Sequence, residues 1–402
     1  MSRRRKKSTC GCFVVILLAA AVLGLAAAAW MQGWFDGVVD TMEEAEATVP
    51  FQEITISEES LAGKYYYQQL DNEDKTVYKE IAQGIKDFQE EIYIHTGEAE
   101  QGNSLFRNVL YDMPEIFWCD GQATSTAYSG NEEPYTTIKV NYTYTREESD
   151  DLKNQMEEPI NACLAGVSAD SSEYDKIKYV FEYIVNTVEY DINAPDNQNI
   201  CSVFIGKRSV CAGYARATQY LLETMGIFAT YVPGSSMDED HAWNLVSCDG
   251  EYYYVDATWG DPVFTQQEDV PELSQEDMIN YDYLCCSDAQ LFKTHTLSEA
   301  ITMPECTSDK YNYYIMQGMY YEEYDPETFQ DVLNQAISRK DKKVIFKFSS
   351  TELYEMAKDE ILGDLMEEAA QYLMSIYDLS EVHYYYQEEA QLNKLVIFWS
   401  YD

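Results

Sequence analysis

SVCAGYARATQYLLETMG (residues 209–226), followed by HAWNLVSCDGEYYYVDATWGDP (residues 241–262), decides the fold of this chain. The first stretch reads as a helix. Ala212, Ala215, Ala217, Tyr220, Leu221 and Leu222 follow Cys211 with no proline before Pro233, and Gly226 supplies the stop. Cys211 then sits in the first turn, facing unpaired backbone N–H groups and the positive end of the helix dipole. Both favour the thiolate, which is the attacking form of cysteine. Gly213 lets another chain segment or a substrate approach closely. Taken alone, a cysteine at this position packs as a small hydrophobe. The second stretch gives it partners.

That stretch reads as a hairpin. Asp249-Gly250 is a two-residue turn signal between strand-like runs. The turn sets Cys248 opposite Glu251 and Trp243 opposite Asp256. His241 is two residues from Trp243 and so shares a face with Asp256. Such diagonal neighbours lie about 7–8 Å apart at the backbone, within side-chain reach. A slip of one residue would send them to opposite faces. A carboxylate there fixes the imidazole tautomer and stabilises the imidazolium. A core histidine and a capping aspartate are each ordinary. With Cys211 they become the nucleophile, base and orienting acid of a thiol acyl-transfer site. The backbone N–H of Cys211 is a natural oxyanion donor. Gln198 is the candidate for a second donor, against the plainer reading of a loop glutamine. Trp243 and Trp259 flank the pair, as walls of a cleft or, more simply, as core.

These residues carry a resemblance. VCAGYA, HAWN and DG-x-YYYVDATWGDP, in that order and spacing, resemble the transglutaminase-like superfamily of cysteine acyltransferases and peptidases. Within it the chain is most similar to bacterial membrane-anchored surface proteins with a transglutaminase-like core. The resemblance covers residues 170–300 or so. YDYLCCSDAQLFKTH (281–295) is similar to a segment that closes the same core, and DMPEIFW (112–118) to an N-terminal extension of the bacterial proteins. Arylamine acetyltransferases use the same residue order, but their Arg-Gly-Gly lead is absent.

The resemblance implies an α+β fold. Its papain-like/transglutaminase-like core packs a nucleophile helix on an antiparallel sheet, with flanking small α/β domains and an N-terminal transmembrane helix. It implies Cys211 as nucleophile, His241 as base and Asp256 as orienting acid. The reaction implied is acyl transfer through a cysteine thioester. Hydrolysis by a cysteine peptidase or amidase is favoured over transglutaminase-type crosslinking, because water is the default acceptor. The expected partner is a peptide or protein substrate at the cell envelope, and no cofactor or metal is implied. The rival is a non-enzymatic cell-surface adhesin or envelope scaffold on the same fold. Faster labelling of Cys211 than of the other cysteines by a thiol-directed electrophile separates the two.

Bulk properties bound the rest. Residues 13–30, FVVILLAAAVLGLAAAAW, carry no polar side chain and follow Arg3, Arg4, Arg5, Lys6 and Lys7. This predicts a single membrane span, with a cytoplasmic N-terminus and an extracellular ectodomain. A cleaved signal peptide ending near Ala26–Ala28 is the rival. The balance of 27 basic against 71 acidic residues repels phosphate backbones, so nucleic acid is excluded as a partner. Ten cysteines contain no CxxC pair, which argues against a zinc site or a disulfide exchanger and leaves one structural disulfide open. Tyrosine runs at 65–67, 252–254 and 384–386 suit half-buried strands.

The expected organisation is a basic tail (1–12), the span (13–30), an acidic stalk (31–60), an α+β extension (61–168), the catalytic core (169–306) and a C-terminal α/β domain (307–402). In the extension, Ile81, Ile85, Phe88 and Ile92 recur at helical spacing, and Thr136–Tyr144 reads as a strand. Residues 151–168 read as a connecting helix. The next helix, capped by Asp170 or Ser171, carries the stripe Ile177, Phe181, Ile184 and Val188. In the last domain Tyr311–Tyr321, Lys343–Phe348, Val382–Gln387 and Lys394–Tyr401 read as strands, and Asp325–Ser338 and Ser350–Ile376 as helices. That domain shows no catalytic constellation and is expected to be dispensable for chemistry.

Overall fold

The structure, a computed structural model, describes residues 38–44, 49–129, 133–261 and 278–401. The apolar run 13–30 and the basic tail lie outside these residues. Among the described residues no helix is long and apolar enough to cross a membrane.

In chain order the strands are β1 Val38–Glu44, β2 Ile92–Ile94, β3 Cys119–Ser129, β4 Tyr135–Tyr142, β5 Ala229–Ser236, β6 Glu239–Cys248, β7 Glu251–Val255, β8 Leu284–Cys286, β9 His295–Leu297, β10 Tyr320–Tyr321, β11 Lys343–Phe348, β12 Tyr384–Glu389 and β13 Lys394–Trp399. The main helices are α1 Asn72–Lys86, α2 Ala99–Asp112, α3 Arg146–Ala165, α4 Glu173–Thr187, α5 Cys211–Thr224, α6 Ala257–Gly260, α7 Pro326–Arg339, α8 Thr351–Glu360 and α9 Met366–Tyr377. A two-stranded ribbon aside, the strands form three sheets, in the orders β1-β3-β4-β2, β8-β7-β6-β5-β9 and β10-β11-β13-β12. The described residues divide into two compact units. One takes those of Met1–Ala162, Asp191–Tyr220 and Thr230–Ala242, the other those of Cys163–Tyr190, Leu221–Ala229 and Trp243–Asp402.

In the first unit, Asp71 caps α1 by accepting from the backbone N–H groups of Glu73 and Asp74. The stripe Val77, Ile81 and Ile85 is buried, as are Ile92 and Ile94. The helical spacing does not run through to Ile92, however. Helix α1 stops at Lys86, Phe88 takes a left-handed φ of 57°, and Ile92 opens β2. Stacking of Phe88 on Trp118, with centroids 5.3 Å apart, holds that reversal. Tyr65–Tyr67 is a helical turn rather than a strand. The N–H groups of Tyr66 and Tyr67 donate to the buried carboxylate of Asp112 at 3.0 and 2.8 Å, and the hydroxyl of Tyr78 joins them at 3.0 Å. The acidic stretch read as a stalk contributes β1, which pairs parallel to β3 with Val38 opposite Thr124. That pairing is made by backbone groups at an open sheet edge and needs no apolar pattern.

In the second unit, the cap of α4 is Ser172, one residue past the expected pair, and it accepts from the Asp175 N–H at 3.1 Å. Ile177, Phe181 and Ile184 are fully buried as expected. Within the C-terminal sheet, β11 coincides residue for residue with the expected strand Lys343–Phe348. The other elements shift. Tyr313–Met316 is a helical turn because Asn312 accepts from the Tyr314 N–H, leaving only Tyr320–Tyr321 as strand. The long helix from Ser350 breaks at Gly363, whose ψ of −109° is non-helical, into α8 and α9. Tyr384, Tyr385 and Tyr386 lie on β12 but are exposed. All eight cysteines among the described residues are buried, and none is in a disulfide.

The C-terminal layer also holds the segment before β8. Lys347 on β11 and Lys394 on β13 are direct cross-strand partners. Two like charges so placed repel. Asp282 resolves this. Its carboxylate meets the Lys347 Nζ at 2.8 Å and pairs with Lys394 through its other oxygen, with all three side chains no more than 4% exposed. Glu389 adds a second carboxylate to Lys394 at 3.0 Å. Burial opposes ionisation of Asp282, but the ammonium groups of Lys394 and Lys347 outweigh it and hold the carboxyl below its ordinary 3.8. Truncation at 306 would therefore strip Asp282 of both lysines. A depressed folded pKa stabilises the fold above the unfolded value, and that contribution is lost as pH falls below about 4. Asp282→Ala should cost about 3–5 kcal/mol, because it strands the buried Lys347 and leaves Lys394 with Glu389 alone. The triple change Asp282→Leu, Lys347→Met, Lys394→Met should recover most of that loss and remove the acid sensitivity. Urea denaturation at pH 7 and pH 3 reads both. A loss below about 1 kcal/mol for the single variant would show the cluster to be effectively solvated.

Candidate active site

Cys211 is the first residue of α5 and only 4% exposed. Its position is set by the loop before it. The carbonyl of Asn197 accepts from the Val210 N–H at 3.2 Å and from the Ser209 hydroxyl at 2.9 Å. Ser209 and Ser202 hydroxyls lie 2.6 Å apart, and Ser202 donates to the Asn199 carbonyl at 2.8 Å. The Asp191 N–H donates to the Ser209 carbonyl at 2.8 Å. Gln198, 6% exposed, sits in this loop beside the carbonyl that anchors the lead into Cys211. A Cβ on Gly213 would clash with the Ser209 Oγ and lie 3.0 Å from the Asn197 carbonyl oxygen. The close approach inferred at Gly213 is thus made by the chain's own loop. Five residues past the thiol, buried Arg216 donates to the Leu110 carbonyl at 2.5 Å and lies over the Tyr231 ring at 5.0 Å. Nothing in the spacing of the motif marks that arginine.

The hairpin is as the turn signal predicts. Cys248 pairs with Glu251, and the register runs without a slip to Asn244 opposite Val255. Asp249 and Gly250 take φ of 51° and 82°, the left-handed pair of a two-residue turn. The pairing ends there, one step short of the expected pair Trp243 and Asp256. His241 lies on β6, two residues before Trp243, and is half-buried.

Asp256 leaves the strand and caps α6. One carboxylate oxygen accepts from the N–H groups of Thr258 and Trp259 at 2.9 and 3.1 Å. Its own N–H donates to the Tyr283 carbonyl at 2.9 Å. The other carboxylate oxygen lies 3.0 Å from Nε2 of His295, with the two side chains 1% and 0% exposed. The rings of Trp243, Tyr283 and Trp259 surround that imidazole at 5.0, 5.1 and 5.7 Å. Trp243 is core at 1% exposure, whereas Trp259 is half-buried. The structure thus gathers Asp256, Trp243 and Trp259 around a histidine that the motif does not contain. His295 ends the run 281–295, whose resemblance to a core-closing segment, with its being one of four histidines in the chain, was the signal available.

Six of the other thiols are held in the neutral form by burial. Burial pushes Cys119, Cys201, Cys248 and Cys306 up to about 12, and Cys285 and Cys286 well above their ordinary value.

Residues 161–257 match the sequence profile of the transglutaminase-like superfamily. This part of the chain is a member of that superfamily. The transglutaminase-like segment contains Cys211, His241 and Asp256 and stops short of His295. Over 106 residues the chain is 26% identical to the kyphoscoliosis peptidase of Mus musculus, a match covering 22% of this chain and 16% of that protein. The Homo sapiens kyphoscoliosis peptidase matches equally, at 26% over 106 residues. The chain therefore spans under a fifth of the length of these relatives. Among solved structures, the crystal structure of a TGase is similar over 38% of this chain and 46% of its own, at 17% identity and a TM-score of 0.26.

The crowding at Gly213 gives the transglutaminase-like segment a testable joint. Gly213→Ala should displace the Ser209 hydroxyl from its partners and lower stability by about 1–3 kcal/mol. Adding Ser209→Gly, which vacates the space, should return part of that loss. Thermal melts of the single and double variants decide it, and a neutral Gly213→Ala would show the loop to be loosely held.

Proposed function

We propose that the chain performs thiol-dependent acyl transfer, with Cys211 as nucleophile, His241 as base and Asp256 as the acid that orients it. The observation that carries this reading is the cysteine at the first position of a helix, inside a superfamily segment that also holds the histidine and the aspartate. The Cys211 sulfur attacks the carbonyl carbon of a peptide or amide, and His241 takes the thiol proton. The backbone N–H of Cys211 stabilises the oxyanion, with Gln198 as the second donor. Collapse breaks the carbon–nitrogen bond, and the amine leaves with the proton held by His241. Water then opens the thioester to a carboxylic acid and regenerates the thiol. An amine in place of water would give a new amide, which is crosslinking. We favour water, the more abundant acceptor. Trp259, half-buried beside Asp256, lines the cleft; fully buried Trp243 supports it from the core.

The neutral thiols make the test selective. Iodoacetamide at neutral pH should alkylate Cys211 well before Cys119, Cys201, Cys248, Cys285, Cys286 and Cys306. Turnover is read with fluorogenic peptide amides for hydrolysis and with dansylcadaverine incorporation into dimethylcasein for crosslinking. Cys211→Ala and His241→Ala should abolish turnover in folded protein. Asp256→Asn should lower it by roughly 10⁴-fold, by analogy with the serine triad, and the losses should not add. Labelling of Cys211 no faster than of the buried cysteines would sink the reading and favour a scaffold.

We also propose that residues 13–30 anchor the chain, with the remainder outside the cell, on the charge asymmetry alone. Protease added to intact cells should digest a tag at the C-terminus and spare one at the N-terminus; the reverse pattern would invert the topology.

A further inference from the structure

His295 is held as firmly as the residues of the motif. Its Nε2 lies 3.0 Å from Asp256 Oδ2, and its Nδ1 lies 2.8 Å from the Thr294 hydroxyl. That hydroxyl in turn lies 2.9 Å from the hydroxyl of Tyr283, whose carbonyl takes the Asp256 N–H. With a neutral His295, the following proton arrangement satisfies the row. Tyr283 donates to Thr294, Thr294 donates to Nδ1, and Nε2–H donates to the carboxylate. Both ring nitrogens are then engaged, and the side chain is 0% exposed, so His295 is not placed to exchange protons with a substrate. A carboxylate this buried is costly to ionise unless donors meet it. Two backbone N–H groups meet Oδ1, and His295 meets Oδ2.

We propose that His295 is a positioning residue for the acid: it holds Asp256 ionised and in one orientation, so that Asp256 can orient His241. This rests on the functional reading above. It extends the working set beyond the matched segment 161–257, by a residue 39 positions after Asp256. The half-buried Trp259 ring and the buried Trp243 and Tyr283 rings close around the imidazole and keep water from replacing it.

The experiment uses the full chain and measures the second-order rate of iodoacetamide at Cys211, with kcat and KM on a cleaved fluorogenic peptide where one is found. His295→Leu removes the donor at similar volume. It should slow alkylation and kcat by about ten- to a hundredfold, the range for one charge-assisted hydrogen bond, with KM within about twofold. His295→Gln can place an amide N–H near the lost Nε2–H and should recover to within about fivefold of the parent. Asp256→Asn combined with His295→Leu should be no slower than Asp256→Asn alone, because His295 acts only through Asp256. A purely structural residue would give equal losses for Leu and Gln, or losses that add in the double variant, and either result overturns the proposal. So does an unchanged rate in folded His295→Leu. If that variant does not fold, His295→Asn, too short to reach Asp256, takes its place under the same criteria. Failure of the functional reading looks different: Cys211 in the parent would then label no faster than the other cysteines, and Asp256→Asn would leave its rate unchanged.

Discussion

The carboxylate of Asp256 is the constraint around which its surroundings are arranged. An ion taken out of water loses several kcal/mol of hydration, and the surrounding groups must replace it. Here two separate segments do so, and a third fixes the backbone. The first turn of α6 offers two N–H groups, Tyr283 fixes the backbone, and His295 faces the remaining oxygen. Each of these forces something else. For α6 to start at Asp256 it must lie tight against α4, and Gly260 is where they meet: a Cβ there would clash with the Phe181 ring. For Tyr283 to reach, the chain must return beside β7, which it does as β8, pairing Leu284 with Val255. One buried charge thereby accounts for a capped helical turn, a glycine, a strand pairing and a histidine.

What was legible in the sequence was local. Asp249-Gly250 specifies its own turn because only that pair of left-handed residues fits, and register then follows for every pair up to Asn244 and Val255. Cys211 at a helix start and Gly226 past its end are likewise written in neighbouring residues. The misreadings have a common cause: a distant partner overrides local preference. Tyr65–Tyr67 looks strand-like until Asp112, far along the chain, accepts two of its N–H groups. Ile92 continues a helical spacing, but Phe88 turns back onto Trp118 before the helix can reach it. His295 belongs to the same class. Nothing within several residues of it shows that its nitrogens face a carboxylate 39 positions away.

Electrostatics shaped the C-terminal layer in the same long-range way. In a chain with 71 acidic and 27 basic residues, a lysine has many exposed carboxylates available to it. Lys347 and Lys394 instead lie buried side by side on paired strands, an arrangement that Asp282 makes tolerable by bridging both, with Glu389 as a second carboxylate on Lys394. Buried ion pairs add little net stability over apolar side chains of the same size, but their geometry is exacting. A shifted register between β11 and β13 would separate the two ammonium groups and leave Asp282 with one of them. The cluster therefore selects one pairing of the sheet and one seat for the segment that leads into β8, directly beside the residue that fixes the backbone of Asp256.

The cost of a buried carboxylate also bears on whether the site is chemical or merely architectural. A protein that needs only a shape at this point gains nothing from an aspartate and a histidine sealed together behind two tryptophans and a tyrosine. Apolar side chains of equal volume would pack there without the loss of hydration. An acyl-transfer site needs the opposite. Its acid must stay ionised, so that a positive charge developing on the base is stabilised, and it must not swing, because a misdirected hydrogen bond selects the wrong imidazole tautomer. Ionisation requires donors, and fixed orientation requires that both oxygens be occupied from rigid elements. Asp256 has a partner on each oxygen, a helix turn on one and a caged imidazole on the other. The physical expense of this arrangement is what the proposed acyl-transfer reading calls for, and a scaffold does not call for it.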